Sequence, residues 1–141
     1  MTRIITDTGP LVALRNKRDR YHAWTRRVLD TIEPPLWTCE AVVTEACFLL
    51  GHMNGGSDAI LELLAGGILK IDFTLSAEDA PVRALMSKFQ NVPMSLADAC
   101  LVRMTELVPG SVILTLDRDF LVYRRNRRLV VPTIMPTLSG G

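Results

Sequence analysis

Short β-branched runs alternate with helix-length amphipathic stretches along this chain, and an alternation of that kind predicts a layered α/β domain with a mostly parallel central sheet flanked by helices. Arg3 to Thr6 is the first such run. Gly9-Pro10 then opens an apolar helix through Leu11, Val12 and Leu14, where a proline in the first turn is tolerated. Asp19 is placed to cap a longer helix reaching about Ile32, with Tyr21, Trp24, Val28, Leu29 and Ile32 at helical spacing, before Pro34-Pro35 ends it. A third helix is expected from Cys39 or Glu40 to Leu50, stopped by Gly51, and Asn54-Gly55-Gly56-Ser57 reads as a loop. A short helix near Asp58 to Leu64 leads into strand-like Ile68 to Phe73, and Ser76 to Gln90 reads as a helix. Ser95 begins another, which ends by Pro109-Gly110; Val112 to Leu116 is the clearest parallel-type strand. Asp119 to about Arg125 suggests a short helix, and Leu129 to Ile134 a last strand.

With 141 residues, 48% of them hydrophobic and 22% charged, the chain suits one compact domain with a sizeable core. No stretch holds the roughly 18 uninterrupted apolar residues that a membrane span needs. The start, Met-Thr-Arg-Ile-Ile-Thr-Asp, lacks the apolar run of a cleaved signal peptide, so the expected compartment is the cytoplasm. Cys39, Cys47 and Cys100 stand in apolar surroundings without zinc-site spacing and read as buried reduced thiols. A net charge of +1 argues neither for nor against a nucleic-acid partner. The basic residues are clustered, however, at Arg15 to Arg20, at Arg26-Arg27, and most densely at Arg124, Arg125, Arg127 and Arg128. Such clusters can hold phosphate, or can be plain solvated surface.

The acids constrain function more. Asp7 follows one strand and Asp117 closes another, and in an open parallel sheet the carboxyl ends of strands line the crevice where ligands bind. Glu45 interrupts the apolar run Ala41 to Leu50, and Asp98 interrupts Leu96 to Val102. An ionised carboxylate buried without a partner costs several kcal/mol, so such an acid is protonated, paired or bound to metal. No lysine or arginine lies one helical turn from Glu45. If the four acids converge, a divalent cation is the simplest means of keeping them ionised together, and an all-oxygen set favours Mg²⁺ or Mn²⁺ over zinc. A metal held this way can bind a scissile phosphate and help ionise an attacking water, which is nuclease chemistry.

Asp7-Thr8-Gly9-Pro10-Leu11-Val12-Ala13-Leu14, Val43-Thr44-Glu45-Ala46, Ser95-Leu96-Ala97-Asp98-Ala99 and Thr115-Leu116-Asp117-Arg118-Asp119-Phe120 resemble, in order, the successive motifs of the PIN domain. The segment Arg20-Tyr21-His22-Ala23-Trp24 is similar to the second helix of VapC-type toxins. The resemblance covers nearly the whole chain and implies a single PIN domain over residues 1–136; the Ser139-Gly140-Gly141 end makes a frayed tail the expectation for 137–141. It further implies a Mg²⁺- or Mn²⁺-dependent endoribonuclease acting through a metal-bound water, an RNA substrate such as tRNA or a ribosomal RNA loop, a homodimer and a cognate antitoxin. Carried over residue by residue, Asp7, Glu45 and Asp98 take the invariant acidic places. Asp117 or Asp119 takes the fourth: Asp117 is favoured because it directly follows the strand, and Asp119 is the better helix-cap candidate. Thr115 and Ser95 are expected to hydrogen-bond the acids or their water, and Arg124, Arg125, Arg127 and Arg128 to contact RNA.

Each residue also has a structural reading. Ser95-x-x-Asp98 resembles a capping box, Asp7 can cap the helix after it, Glu45 can pair with a distant arginine, and Asp117 and Asp119 can be strand-end turn residues. His22 and His52 are too far apart for a metal pair, and Trp24 and Trp37 suit core or interface packing. Three functions from different classes compete. The endoribonuclease needs all the acidic motifs; an aspartic protease would need only Asp7-Thr8-Gly9 and its copy in a partner; a silent PIN-fold binding module would need the arginines alone. A PIN-fold RNA-processing nuclease outside any toxin–antitoxin pair shares the first reading's chemistry.

Overall fold

A computed structural model describes residues 2–137. Five parallel strands form the central sheet in the order β3-β2-β1-β4-β7. They are β1 (Ile4–Thr6), β2 (Leu36–Thr38), β3 (Leu69–Ile71), β4 (Val112–Leu114) and β7 (Thr133–Ile134), and a separate antiparallel hairpin pairs β5 (Arg124–Arg125) with β6 (Leu129–Val130). Among the described residues six α-helices accompany them: α1 (Thr8–Arg15), α2 (His22–Leu29), α3 (Glu40–Leu49), α4 (Gly56–Ala65), α5 (Asp79–Lys88) and α6 (Leu96–Leu107). Among the described residues no helix is long and apolar enough to cross a membrane.

The core is continuous through the sheet. Ile5 on β1 and Ile113 on β4 are adjacent in register and fully buried, between helices that contribute Leu11, Val42, Leu101 and Val102. These central strands are apolar on both faces, as parallel strands covered by helices must be. Helix α6 is buried nearly all round, from Ala97 to Val102 and again at Met104 and Thr105, so its first-turn acid is carried into the interior by the helix itself. Cys39 and Cys100 are buried free thiols, and Cys47 is a half-buried one.

Several boundaries differ from those expected. The strand Leu36–Thr38 falls between the second and third expected helices, where no strand is predicted, because three residues after two prolines show no periodicity. Helix α2 starts at His22 rather than at Asp19, whose carboxylate instead accepts from the Tyr21 N–H at 2.8 Å in a local turn. Helix α4 begins inside the predicted loop: Gly56 packs against the Leu50 carbonyl so closely that a Cβ would lie 2.2 Å from that oxygen. The segment expected as one helix from Ser76 divides into a 3₁₀ turn at Leu75–Ala77 and α5. Asp119 to Arg125 is not a helix. It is a 3₁₀ turn over Arg118–Leu121 followed by the first strand of the hairpin, whose three-residue connection holds Asn126 and Arg127 at positive φ. The predicted last strand is likewise split, β6 going to the hairpin and β7 to the sheet on either side of Pro132. Of the expected frayed tail, all but Thr137 lies outside the described residues.

Candidate active site

The chain leaves β1 for β2 and β3 on one side and returns through β4 and β7 on the other, so β1 and β4 are the neighbours at which strand order reverses. Their register pairs Thr6 with Leu114, which brings the residues after both strands to one carboxyl edge. That is where open α/β sheets bind ligands. Asp7 emerges there from β1, and Thr115 and Asp117 from β4.

Asp7 is both cap and site acid. Its backbone is extended, its N–H donates to the Leu114 carbonyl at 2.9 Å, and its Oδ1 accepts from the Thr8 N–H at 2.7 Å at the head of α1. Its Oδ2 accepts from the Thr115 hydroxyl at 2.7 Å, and Thr115 Oγ1 in turn accepts from the Asp117 N–H at 2.9 Å. One buried hydroxyl therefore links the two acids across adjacent strands. Gly9 permits the close approach: a Cβ there would meet the Leu116 side chain at 3.3 Å, so the first turn of α1 rests on the residue preceding Asp117.

Asp98 arrives from the other direction, in the first turn of α6. Ser95 caps that helix, its hydroxyl accepting from the Asp98 N–H at 3.1 Å, so the capping geometry and a buried acid coexist at one residue. The Asp98 carboxylate accepts at Oδ2 from the Tyr123 hydroxyl at 2.7 Å. Tyr123 is fully buried, with Phe89 and Phe120 packed edge-on against its ring.

Burial dominates the electrostatics. It pushes the Asp7 carboxyl up to about 6; the Thr115 and Thr8 hydrogen bonds oppose the rise, and the charges of Asp98 and Asp117 add to it. Burial also raises Asp98, opposed by the Tyr123 hydroxyl and reinforced by Asp117. Burial and Asp117 raise Asp119. The phenol of Tyr123 is driven far above its usual range by burial and by Asp98, so it stays a donor at any working pH. Asp7, Asp98 and Asp117 thus form one repelling group built from three motifs distant in sequence, and Asp117 is the acid whose charge reaches both of the others.

Three sequence expectations change here. Asp117, not Asp119, is the cap of the 3₁₀ turn, its Oδ1 accepting from the Asp119 N–H at 2.9 Å. Glu45 is not a buried acid: it is exposed on α3, where Phe48 is 81% exposed and only Val42 and Ala46 are buried. The apolar run around it covers more of the helix than the core takes up, so the expected burial penalty does not arise. The arginine cluster also divides. Arg124 donates to the carbonyls of Leu121, Val122 and Tyr123, and Arg125 to the Thr105 carbonyl at 3.1 Å, whereas Arg127 and Arg128 are exposed. Arg124 braces the turn that precedes the hairpin, and Arg125 fastens the hairpin to α6. Tyr123 and Thr8 escape sequence reasoning, since a tyrosine inside a basic run and a threonine inside a helix start carry no periodic signal.

The donor chemistry suits a hard divalent cation, being carboxylate and hydroxyl oxygen throughout. Among the described residues no three His, Cys, Asp or Glu side chains are grouped closely enough to hold a metal ion by themselves. Mg²⁺ does not require such a cage, because it commonly takes one or two carboxylates and completes its shell with water and substrate phosphate. The buried Thr8 hydroxyl has no hydrogen-bond partner within the described residues, and a water in the crevice would satisfy it.

No protein-family profile matches the chain. Ribonuclease VapC26 of Mycobacterium tuberculosis (strain ATCC 25618 / H37Rv) is 29% identical over 117 residues, which cover 82% of this chain and 87% of that protein. The crystal structure of Mycobacterium tuberculosis VapC20, described as a sarcin-ricin loop cleaving toxin, superposes with a TM-score of 0.73 at 19% identity, over 82% of this chain and 91% of that one.

Proposed function

Because this chain has the PIN fold and resembles VapC-type toxins over most of its length, we propose that it is a metal-dependent endoribonuclease, the toxin half of a toxin–antitoxin pair. The observation that carries the reading is the meeting of Asp7, Asp98 and Asp117 at the switch point of the sheet, where Asp98 and Asp117 raise the proton affinity of Asp7 and Asp117 raises that of Asp98. Three acids that repel one another serve no structural purpose that neutral residues would not serve better. Mg²⁺ or Mn²⁺ bound there would neutralise them, polarise the scissile phosphate and supply an ionised water.

The protein's own part is to hold the acids in place. Thr115 keeps Asp7 and Asp117 in fixed relation, the head of α1 anchors the other oxygen of Asp7, and the Ser95 cap sets the depth of Asp98. Glu45 enters as the fourth acid on its motif alone, from an exposed position on α3. Arg127 and Arg128 contact the RNA backbone, contributing affinity rather than sequence choice. The substrate is structured or single-stranded RNA, tRNA or a ribosomal loop; the cleaving activity described for VapC20 supports the latter. The protein works as a homodimer, and a cognate antitoxin covers the acidic crevice.

Cleavage of total RNA by the antitoxin-free chain, with and without Mn²⁺ and beside Asp7→Asn and Asp98→Asn, tests this reading. Metal-dependent cuts absent from both variants are expected. Cuts that persist in both variants, or no cuts under any divalent metal, would overturn it.

A further inference from the structure

The segment from Phe120 to Asn126 is fastened to α6 along its length. Arg125 donates to the Thr105 carbonyl, the Asn126 N–H donates to Glu106 Oε2 at 2.6 Å, and Glu106 is itself held by Arg103 at 3.1 Å. In the middle of this segment Tyr123 reaches Asp98 through a 2.7 Å hydrogen bond. Its ring cannot swing away, being fully buried with Phe89 5.4 Å and Phe120 5.1 Å distant between centroids. Arg125 and the Asn126 N–H therefore hold to α6 the segment that carries the Tyr123 hydroxyl to Asp98.

Packing alone would not call for a tyrosine here. A phenylalanine would fill the same space without bringing a polar atom into the core, and burying a hydroxyl costs free energy unless a hydrogen bond offsets it. The partner is an acid of the candidate site. We infer that Tyr123 is a positioning residue: by holding Asp98 Oδ2 it fixes the carboxylate in the orientation that receives the divalent cation, and so sets the affinity for that cation. The inference rests on the metal-dependent reading above. A carboxylate already locked by a neighbour loses less rotamer freedom when a ligand binds, and partners of this type typically govern metal affinity by about 10- to 100-fold.

The test is a calorimetric titration of Mn²⁺ alone into the RNA-free full chain, for the wild type, Tyr123→Phe and Phe89→Leu, with thermal midpoints recorded for all three. Tyr123→Phe keeps the ring and loses only the hydroxyl, and its Mn²⁺ affinity is expected to fall about tenfold or more, with kcat reduced and KM for RNA unchanged. Phe89→Leu loosens the packing around the ring but leaves the hydroxyl, and is expected to lower the thermal midpoint while keeping Mn²⁺ affinity within about twofold. Equal Mn²⁺ affinity in wild type and Tyr123→Phe would overturn the inference alone. Equal weakening in Tyr123→Phe and Phe89→Leu would overturn it as well, by reducing Tyr123 to packing. A wild type that takes up no Mn²⁺ would overturn this inference together with the metal-dependent reading.

Discussion

Replacing Asp7 by asparagine should stabilise the metal-free protein at neutral pH while abolishing its chemistry. Asp7 is only 7% exposed, and burial lifts its carboxyl from 3.8 to about 6. A rise of about two pH units corresponds to about 3 kcal/mol of stability. The sign follows from proton binding: between about pH 4 and 6 the folded state holds a proton that the unfolded state has released, so stability falls as pH rises through this window. Below it both states are protonated and the penalty vanishes; above it the penalty is complete. Asparagine carries no charge and still caps α1, because its single carbonyl oxygen can accept from the Thr8 N–H. It must, however, meet Thr115 with an amide donor where a carboxylate oxygen accepted, at a cost of about 1 kcal/mol. The net expectation is a gain of about 2 kcal/mol at pH 7.5, or about 6 °C in the thermal midpoint of a domain this size. The gain should disappear near pH 4. Thermal unfolding in chelator across pH 4 to 7.5 measures it, and repeating the scan with Mn²⁺ should raise the wild type more than the variant. A difference independent of pH, or a variant less stable at pH 7.5, would refute the assignment of the Asp7 shift to burial.

Other expectations follow from the same geometry. Thr115→Val removes the hydroxyl shared by Asp7 and the Asp117 N–H, and should cost about 1–3 kcal/mol in denaturant unfolding together with at least tenfold in RNA cleavage; full activity would show that the bridge does not order the acids. Gly9→Ala places a methyl 3.3 Å from Leu116 and should reduce kcat several-fold while changing the unfolding midpoint little, since the displacement falls on the residue before Asp117. An unchanged kcat would count against that coupling. Arg125→Ala should destabilise by about 1–3 kcal/mol, because Arg125 is tied to Thr105, whereas Arg127→Ala and Arg128→Ala should leave stability within about 0.5 kcal/mol and each reduce the salt dependence of RNA binding by about one unit of slope. The reverse pattern in filter-binding and unfolding assays would return the whole cluster to RNA.

Glu45 and Tyr123 mark the two ways in which sequence reasoning fell short. Glu45 is the one charged residue in the ten from Ala41 to Leu50, and hydropathy alone places it inside. Helix α3 buries only a narrow stripe, and which stripe is decided by what packs against it. Tyr123 lies between valine and two arginines, a context that reads as surface. It is buried because the 3₁₀ turn at Arg118–Leu121 and the β5–β6 hairpin fold that segment against α6, and neither element is long enough to leave a periodic trace.

What could be read directly was local. Strands β1 and β4, helices α1, α3 and α6, and the three acids at their ends follow from short-range chemistry: β-branched runs, a cap, a proline in a first turn, an acid inside an apolar helix. That Asp7 and Asp117 would lie at strand ends was also legible, because the alternation of elements implies a parallel sheet. What the linear pattern could not contain was the order of the strands, which makes β1 and β4 neighbours and lets one threonine hold both acids. Nor could it contain the 25-residue separation bridged by the Tyr123–Asp98 hydrogen bond. Propensity and capping act over a few residues and are written into the chain, whereas burial, repulsion between distant acids and the choice of which arginines reach solvent arise only when segments far apart compete for the same space.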